Sequence, residues 1–414
     1  MRDYSTLNKH SKLRAMTFVG CLLLYTIAYT LIAPFGGNRF FDRGLLVLFV
    51  AIEIIDTLLF YYYYDNGNNL RYRHIKKLAN SLVAFSILCF GYAIVELAVG
   101  DIQIVANNLP TIISVGLCLP ASLYCLRNIN PRAIGKVLLW SFLPIYLYSF
   151  LNNLLQFSGV GGYSEDVFLH GNNVAYNFVI LTPLALFAYK DKKWVGLFLL
   201  LSLSALVFLC AKRGAILSQG LIILIFIFRG PYKFGRWGFV ILFIGGILAL
   251  KPLVTRTQKM EVSPLERFED KSGSGRDQIY STILNGIKDS SIATLLFGHG
   301  FYATADLTQK SLGYNVAVVA HNDWLEVAYD FGLLGLILYL SILFSLLRVT
   351  IKSNKQYSRL LLLILAIFLV RTSFSMVFAD KGSVLFYTII VLILLEDIRT
   401  YELHSTTKEN GRIS

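Results

Sequence analysis

Long apolar runs separated by short polar turns make up most of this 414-residue chain. The runs are roughly 17 to 25 residues long, the length a helix needs to cross the hydrocarbon of a bilayer. They are continuous, without the in-out alternation of a membrane barrel strand, so the pattern predicts an all-α, polytopic membrane helix bundle. About twelve spans follow: residues 15–34, 44–62, 79–100, 105–126, 136–157 and 174–188, then 194–211, 215–228, 237–250, 324–347, 360–378 and 384–398. Residues 1–250 thus hold the first nine spans, 251–323 form one large polar loop, and 324–414 hold the last three spans and a tail. Inside the loop, Ile279, Ile283 and Ile287 recur every fourth residue, which predicts a short amphipathic helix over 278–288.

Composition agrees: 56% of residues are hydrophobic and only 15% charged, which excludes an ordinary soluble domain. The net charge of +13 would suggest nucleic acid in a soluble protein. Here Lys and Arg instead concentrate in every second loop: at the N-terminus, around 71–77, 127–136, 190–193, 229–236 and 348–359, and in the tail. These loops are expected on the cytoplasmic side, with both termini, and the 251–323 loop outside. Nothing supports a nucleic-acid partner. All five cysteines lie in apolar runs, so neither a disulfide framework nor a thiolate metal site is expected. The first apolar run is too long for a signal-peptide core and is kept as a span. Trp194 and Trp237 fall near inner ends of spans and Trp324 at an outer end, as belt residues do. An outward-facing site has no ATP or nucleotide sugar, so its substrate must arrive already activated and already across the membrane.

Several polar residues are candidates for chemistry. Lys212-Arg213 places two cations in a short turn on the outer side, where snorkelling from helix ends is the plain alternative. Arg276 follows Ser272-Gly273-Ser274-Gly275 and opens the amphipathic helix, where it is placed to meet an anion; an ordinary solvated arginine is the alternative. His170, His299 and His321 are all external, but no zinc-ligand spacing joins them, so no metal site is assigned. His321 precedes a span in which Asn322 and Glu326 share one helical face, which suits an acid or base at the membrane surface. Helix capping by the same residues is the alternative. Glu53, Asp56, Glu96, Asp330 and Arg371 lie within spans, and Arg371 is expected to pair with Asp330 or Glu326. Gly332 and Gly335 are expected to allow close helix contact.

Taken in order, Lys212-Arg213-Gly214-Ala215, Gly275-Arg276-Asp277, Gly298-His299-Gly300 and His321-Asn322-Asp323-Trp324-Leu325-Glu326 with Gly332-Leu333-Leu334-Gly335 resemble the O-antigen polymerase and O-antigen ligase superfamily. The motifs occupy roughly the C-terminal half; the N-terminal half matches only as a string of spans. The resemblance implies a cofactor-free, metal-independent, inverting membrane glycosyltransferase of the bacterial inner membrane, with its site facing the periplasm. Its donor would be an oligosaccharide on undecaprenyl diphosphate and its acceptor a glycan or lipid-linked glycan. A chain-length regulator or a flippase would be its protein partner. Arg213 and Arg276 would bind the diphosphate and His321 would orient or deprotonate the acceptor hydroxyl, with Lys212, His299, Asn322, Glu326 and Arg371 as further substrate-binding candidates. Polymerisation of repeat units is the leading expectation, transfer of the finished glycan by a ligase is the alternative, and a lipid-linked oligosaccharide transporter is the reading of another class.

Overall fold

A computed structural model of the protein describes residues 8–32, 39–64, 70–99, 102–155, 165–210, 212–229, 276–313 and 318–410. Among them every regular element is helical. In chain order these are α1 (Asn8–Ile27), continued by a π-helical turn (Ala28–Ile32), α2 (Arg39–Tyr64), α3 (Leu70–Val99), α4 (Ile102–Leu126) and α5 (Pro131–Leu155). There follow α6 (Glu165–Ala188), α7 (Lys193–Leu209), α8 (Arg213–Arg229), α9 (Arg276–Lys288), α10 (Ile292–Phe297), α11 (Ala303–Leu312), α12 (Asp323–Lys352), α13 (Lys355–Phe374) and α14 (Ser383–Asn410).

Seven of these helices are long and apolar enough to cross a membrane: those built on α1 to α5, and α12 and α13. Three shorter apolar helices, Val174–Ala188, Lys193–Leu209 and Arg213–Phe228, complete the set, so the chain is a multi-pass membrane protein. The expected span at 237–250 lies outside the described residues. The apolar run 384–398 belongs to α14, whose Phe386, Ile390 and Leu394 are all buried against the bundle. With α4, which packs on α2, α3 and α14, it forms the centre. Tail-like lipid solvates apolar side chains as well as a protein interior does, so this centre is held by close packing and internal hydrogen bonds rather than by exclusion of water.

The loops expected on one side do meet at one end of the bundle. Arg14 pairs with Asp56 at 2.8 Å, and Asp56 also accepts from Cys125. Arg127 lies over the ring of Tyr124 at 4.4 Å, and its carbonyl accepts from Arg399. Arg132 bridges Asp191 and Glu396. Five segments far apart in sequence are tied by charge at this end, and α9 to α11 lie at the other.

At that other end α12 is broken at Gly332, whose φ of 63° and ψ of −159° leave the helical region. A break frees carbonyls upstream of it. Those of Tyr329 and Asp330 accept from the main-chain N–H groups of His299 and Gly300, both at 3.0 Å. The two chains approach so closely that a Cβ on Gly332 would lie 2.5 Å from the nitrogen of Gly298, and one on Gly298 would lie 2.2 Å from the oxygen of Asp330. Gly332 does allow a close helix contact as expected, with the backbone of Leu296 at the end of α10, and it does so at a kink that the spacing did not announce. Trp324 packs edge-on against Tyr339 at 5.2 Å.

Candidate functional site

The predicted amphipathic helix is α9, with Ile279 and Ile283 buried and Ile287 packed beside them. Its apolar stripe fixes its rotation, and this sets Arg276 at its start against the end of α13. The last carbonyls of a helix have no partner within it. That of Phe374 accepts from Nη1 of Arg276 at 3.2 Å, and that of Ser373 accepts from Nδ2 of Asn322 at 3.2 Å. The end of α13 thus anchors two sequence-predicted residues at once.

Asn322 is the N-cap of α12: its Oδ1 accepts from Trp324 N at 3.0 Å and from Leu325 N at 3.2 Å. Both faces of the amide are engaged, so the capping alternative describes it. His321 adopts φ of 52°, a left-handed conformation uncommon for a side-chain-bearing residue. The turn presents its ring with an exposed face, and among the described residues no hydrogen bond engages it. Enclosure by the surrounding protein, and then the charges of Arg276 and Lys212, push its pKa down to about 4. The imidazole is therefore neutral and able to accept a proton at any physiological pH.

Lys212 and Arg371 approach the ring of Tyr176, Lys212 Nζ at 4.7 Å from the centroid and Arg371 Cζ at 5.5 Å. Cation-π contacts of this kind hold cations together that would otherwise repel. Burial, then Arg371 and Arg276, push the pKa of Lys212 down to about 7. Gly214 makes the arrangement fit, since a Cβ there would lie 2.2 Å from the Tyr176 hydroxyl. Arg371 is only 1% exposed and its Nε and Nη1 have no hydrogen-bond partner among the described residues. Its Nη2 pairs with Asp380, in the turn above α13.

The expected pairing of Arg371 with Asp330 or Glu326 is thus corrected. Asp330 is engaged elsewhere: its Oδ1 accepts from Thr304 N at 2.7 Å and from Thr304 Oγ1 at 2.6 Å, capping α11. Glu326 is fully buried, and its charged neighbours are the carboxylates of Asp330 and Asp323. His299 is drawn into the kink. Its ring stacks on Tyr329 at 4.0 Å, and its nitrogens bond to Tyr329 O at 3.1 Å and Ser290 Oγ at 3.0 Å. Arg213 opens α8 beside Lys212 and is exposed. His170 falls in the first turns of α6, where side chains lie outside the described residues. Among the described residues no group of three or more His, Cys, Asp or Glu side chains is placed to hold a metal ion.

The result is a cluster of Lys212, Arg276, Arg371 and His321, drawn from four separate segments onto one end of the bundle. Tyr176 and Asp380 belong to it and were not singled out in the sequence. An aromatic residue inside an apolar run carries no local signal; Asp380, in a polar turn nine residues after Arg371, does. Such an arrangement can bind an anion with several oxygens and hold a neutral base beside it.

Residues 178–340 match the family model described as O-antigen ligase. The matched stretch carries Lys212, Arg213, Arg276, His299, His321, Asn322 and Glu326, and supports membership of the O-antigen polymerase and ligase superfamily. Tyr176, Arg371 and Asp380 lie outside it. No curated protein matches the chain.

Proposed function

From that superfamily as premise, we propose that the chain transfers an oligosaccharide from undecaprenyl diphosphate to an acceptor hydroxyl at the outer face of a bacterial inner membrane. The observation that carries the proposal is the convergence of Lys212 and Arg371 on Tyr176, with Arg276 and neutral His321 beside them. Both termini are placed in the cytoplasm and the cation cluster in the periplasm, on the distribution of Lys and Arg among the loops. No nucleotide or metal is assigned a part.

The chemistry follows from charge development. As the acceptor oxygen attacks the anomeric carbon from the face opposite the diphosphate, the glycosidic C–O bond breaks and its electron pair passes to the diphosphate oxygen. Fixed cations aimed at that oxygen stabilise the transition state more than the ground state. Arg276 has donors left after its bond to Phe374, and Arg213 stands at the rim; their planar forks match phosphate oxygens. His321 takes the proton of the acceptor hydroxyl. Lys212 and Arg371 supply field behind them, with Asp380 setting the direction of Arg371. Asn322 and His299 are assigned positioning parts, since their polar atoms are engaged with protein.

Polymerisation, in which the growing glycan moves from one carrier onto a single unit on another, is the reading retained. The description of the matched model favours a second, transfer of the finished glycan to a terminal acceptor such as lipid A-core. Deletion of the gene separates them: single repeat units with no ladder indicate a polymerase, and full-length chains left on undecaprenyl diphosphate indicate a ligase. Lipid-linked single units trapped on the cytoplasmic leaflet would contradict both and indicate a transporter.

A further inference from the structure

The depth of the bilayer can be read from α12. Between Asp323 and Gly332 no residue is exposed, whereas from Leu333 to Ile351 an exposed apolar row runs through Ile337, Phe344 and Leu347. Eighteen residue steps at the helical rise make about 27 Å, close to the ~30 Å thickness of a hydrocarbon core. The kink at Gly332 therefore marks the hydrocarbon boundary on the side of the candidate site.

Helix α10 is fixed at that boundary. The backbone of Leu296 abuts Gly332, and the hydroxyl of Tyr92, seven residues before the end of α3, donates to the carbonyl of Phe297. None of the six residues of α10 is buried. Ile292, Leu295, Leu296 and Phe297 are 79%, 42%, 42% and 57% exposed. Four apolar side chains in a six-residue helix would form an unfavourable patch in water. Leu296 abuts Gly332, and the next two residues of α12, Leu333 and Leu334, are exposed at the start of the lipid-facing row.

We propose that α10 is a membrane-surface anchor whose apolar side chains enter the bilayer leaflet on the side of the candidate site. The occupant of this face is lipid, because the face continues the lipid-facing surface of a transmembrane helix at the hydrocarbon boundary. The anchor is joined through Gly298-His299-Gly300 to the outer half of α12, which His321 and Asn322 begin. Seating of α10 in lipid thereby fixes the height of the site above the hydrocarbon, whatever reaction the site performs.

Spin labels on Leu295→Cys and Phe297→Cys in the full chain, reconstituted in phosphatidylglycerol/phosphatidylethanolamine nanodiscs, test this. Asp289→Cys serves as the aqueous reference, Phe344→Cys as the lipid reference, and the unsubstituted chain as the label background. The ratio of relaxation by oxygen to relaxation by a water-soluble nickel chelate should be several-fold higher at 295 and 297 than at 289, and below that at 344, which lies about 18 Å deeper along α12. A ratio like that at 289 would overturn the proposal. So would shielding from both reagents, which would mean that protein, not lipid, covers α10. Leu296→Cys supplies another exposed position if either variant fails to insert.

Discussion

Arg276 donates through Nη1 to the main-chain oxygen of Phe374 at 3.2 Å, joining the first residue of α9 to the last of α13. Asn322 makes the equivalent bond to Ser373, one residue earlier. Two motifs 46 positions apart in the sequence are thus registered against neighbouring carbonyls of one helix end. Arg371 sits one turn below the same end. The cation cluster is therefore no accident of long flexible side chains meeting at a surface.

Asn322 both caps α12 and tethers it to α13, and the two parts separate by substitution. Asn322→Ser keeps an oxygen for capping and removes the donor to Ser373, so stability should change by no more than about 0.5 kcal/mol while transfer falls. Asn322→Ala should lose about 1 kcal/mol as well. Thermal unfolding in detergent beside a transfer assay checks both; equal activity of Asn322→Ser and the parent chain would remove the tether from the account.

Gly214 leaves room for the Tyr176 ring between two cations. Gly214→Ala should displace Tyr176 and raise the donor KM with insertion intact. Gly220→Ala, one helix turn and a half further along, meets nothing within 4 Å and should change little. Tyr176→Phe should keep most activity and Tyr176→Leu should not, because the ring face and not the hydroxyl holds the cations.

The pH profile follows from two groups outside the spans. His321, with its pKa lowered to about 4, becomes protonated only below that pH and then cannot accept a proton. Lys212, lowered to about 7, is charged below that pH and neutral above it, so donor binding weakens as pH rises through 7. The profile of kcat/KM for the free enzyme should accordingly be highest between those limits. Lys212→Arg should abolish the alkaline limb, and its persistence in that variant would assign the limb to another group.

Gly332 and Gly298 hold positive φ and face backbone atoms, which cannot move aside as a side-chain end can. Alanine at either position should cost at least about 2 kcal/mol, with conformational strain and backbone contact adding. Denaturation in detergent reads this directly.

Much of the architecture was legible because membrane spans write themselves as uninterrupted apolar runs, and because Lys and Arg mark alternate loops whose meeting at one end the Arg127–Arg399 and Arg132–Glu396 contacts record. The isoleucine spacing gave α9 for the same reason: one buried stripe leaves one period. The partner of Arg371 was not legible. Depth counted along each helix says nothing of which carboxylate is already engaged, and Asp330 is taken by Thr304, 26 residues away, while Arg371 pairs with Asp380. The Gly332 spacing signalled the close contact made with Leu296 of α10 but not the kink, because a small residue on a helix face carries no mark of its φ. Tyr176 was silent, since an aromatic residue among apolar neighbours reads as packing.

The central claim is that cations from separate segments stabilise a departing lipid diphosphate while His321 takes the acceptor proton. The direct measurement is single-turnover transfer by purified protein supplied with a defined undecaprenyl-diphosphate oligosaccharide and its acceptor, without nucleotide. Arg276→Ala should slow transfer by about 10² to 10³ and His321→Ala by about 10² to 10⁴, and Arg213→Lys should be impaired despite its charge. Undiminished transfer by all three variants would contradict the account.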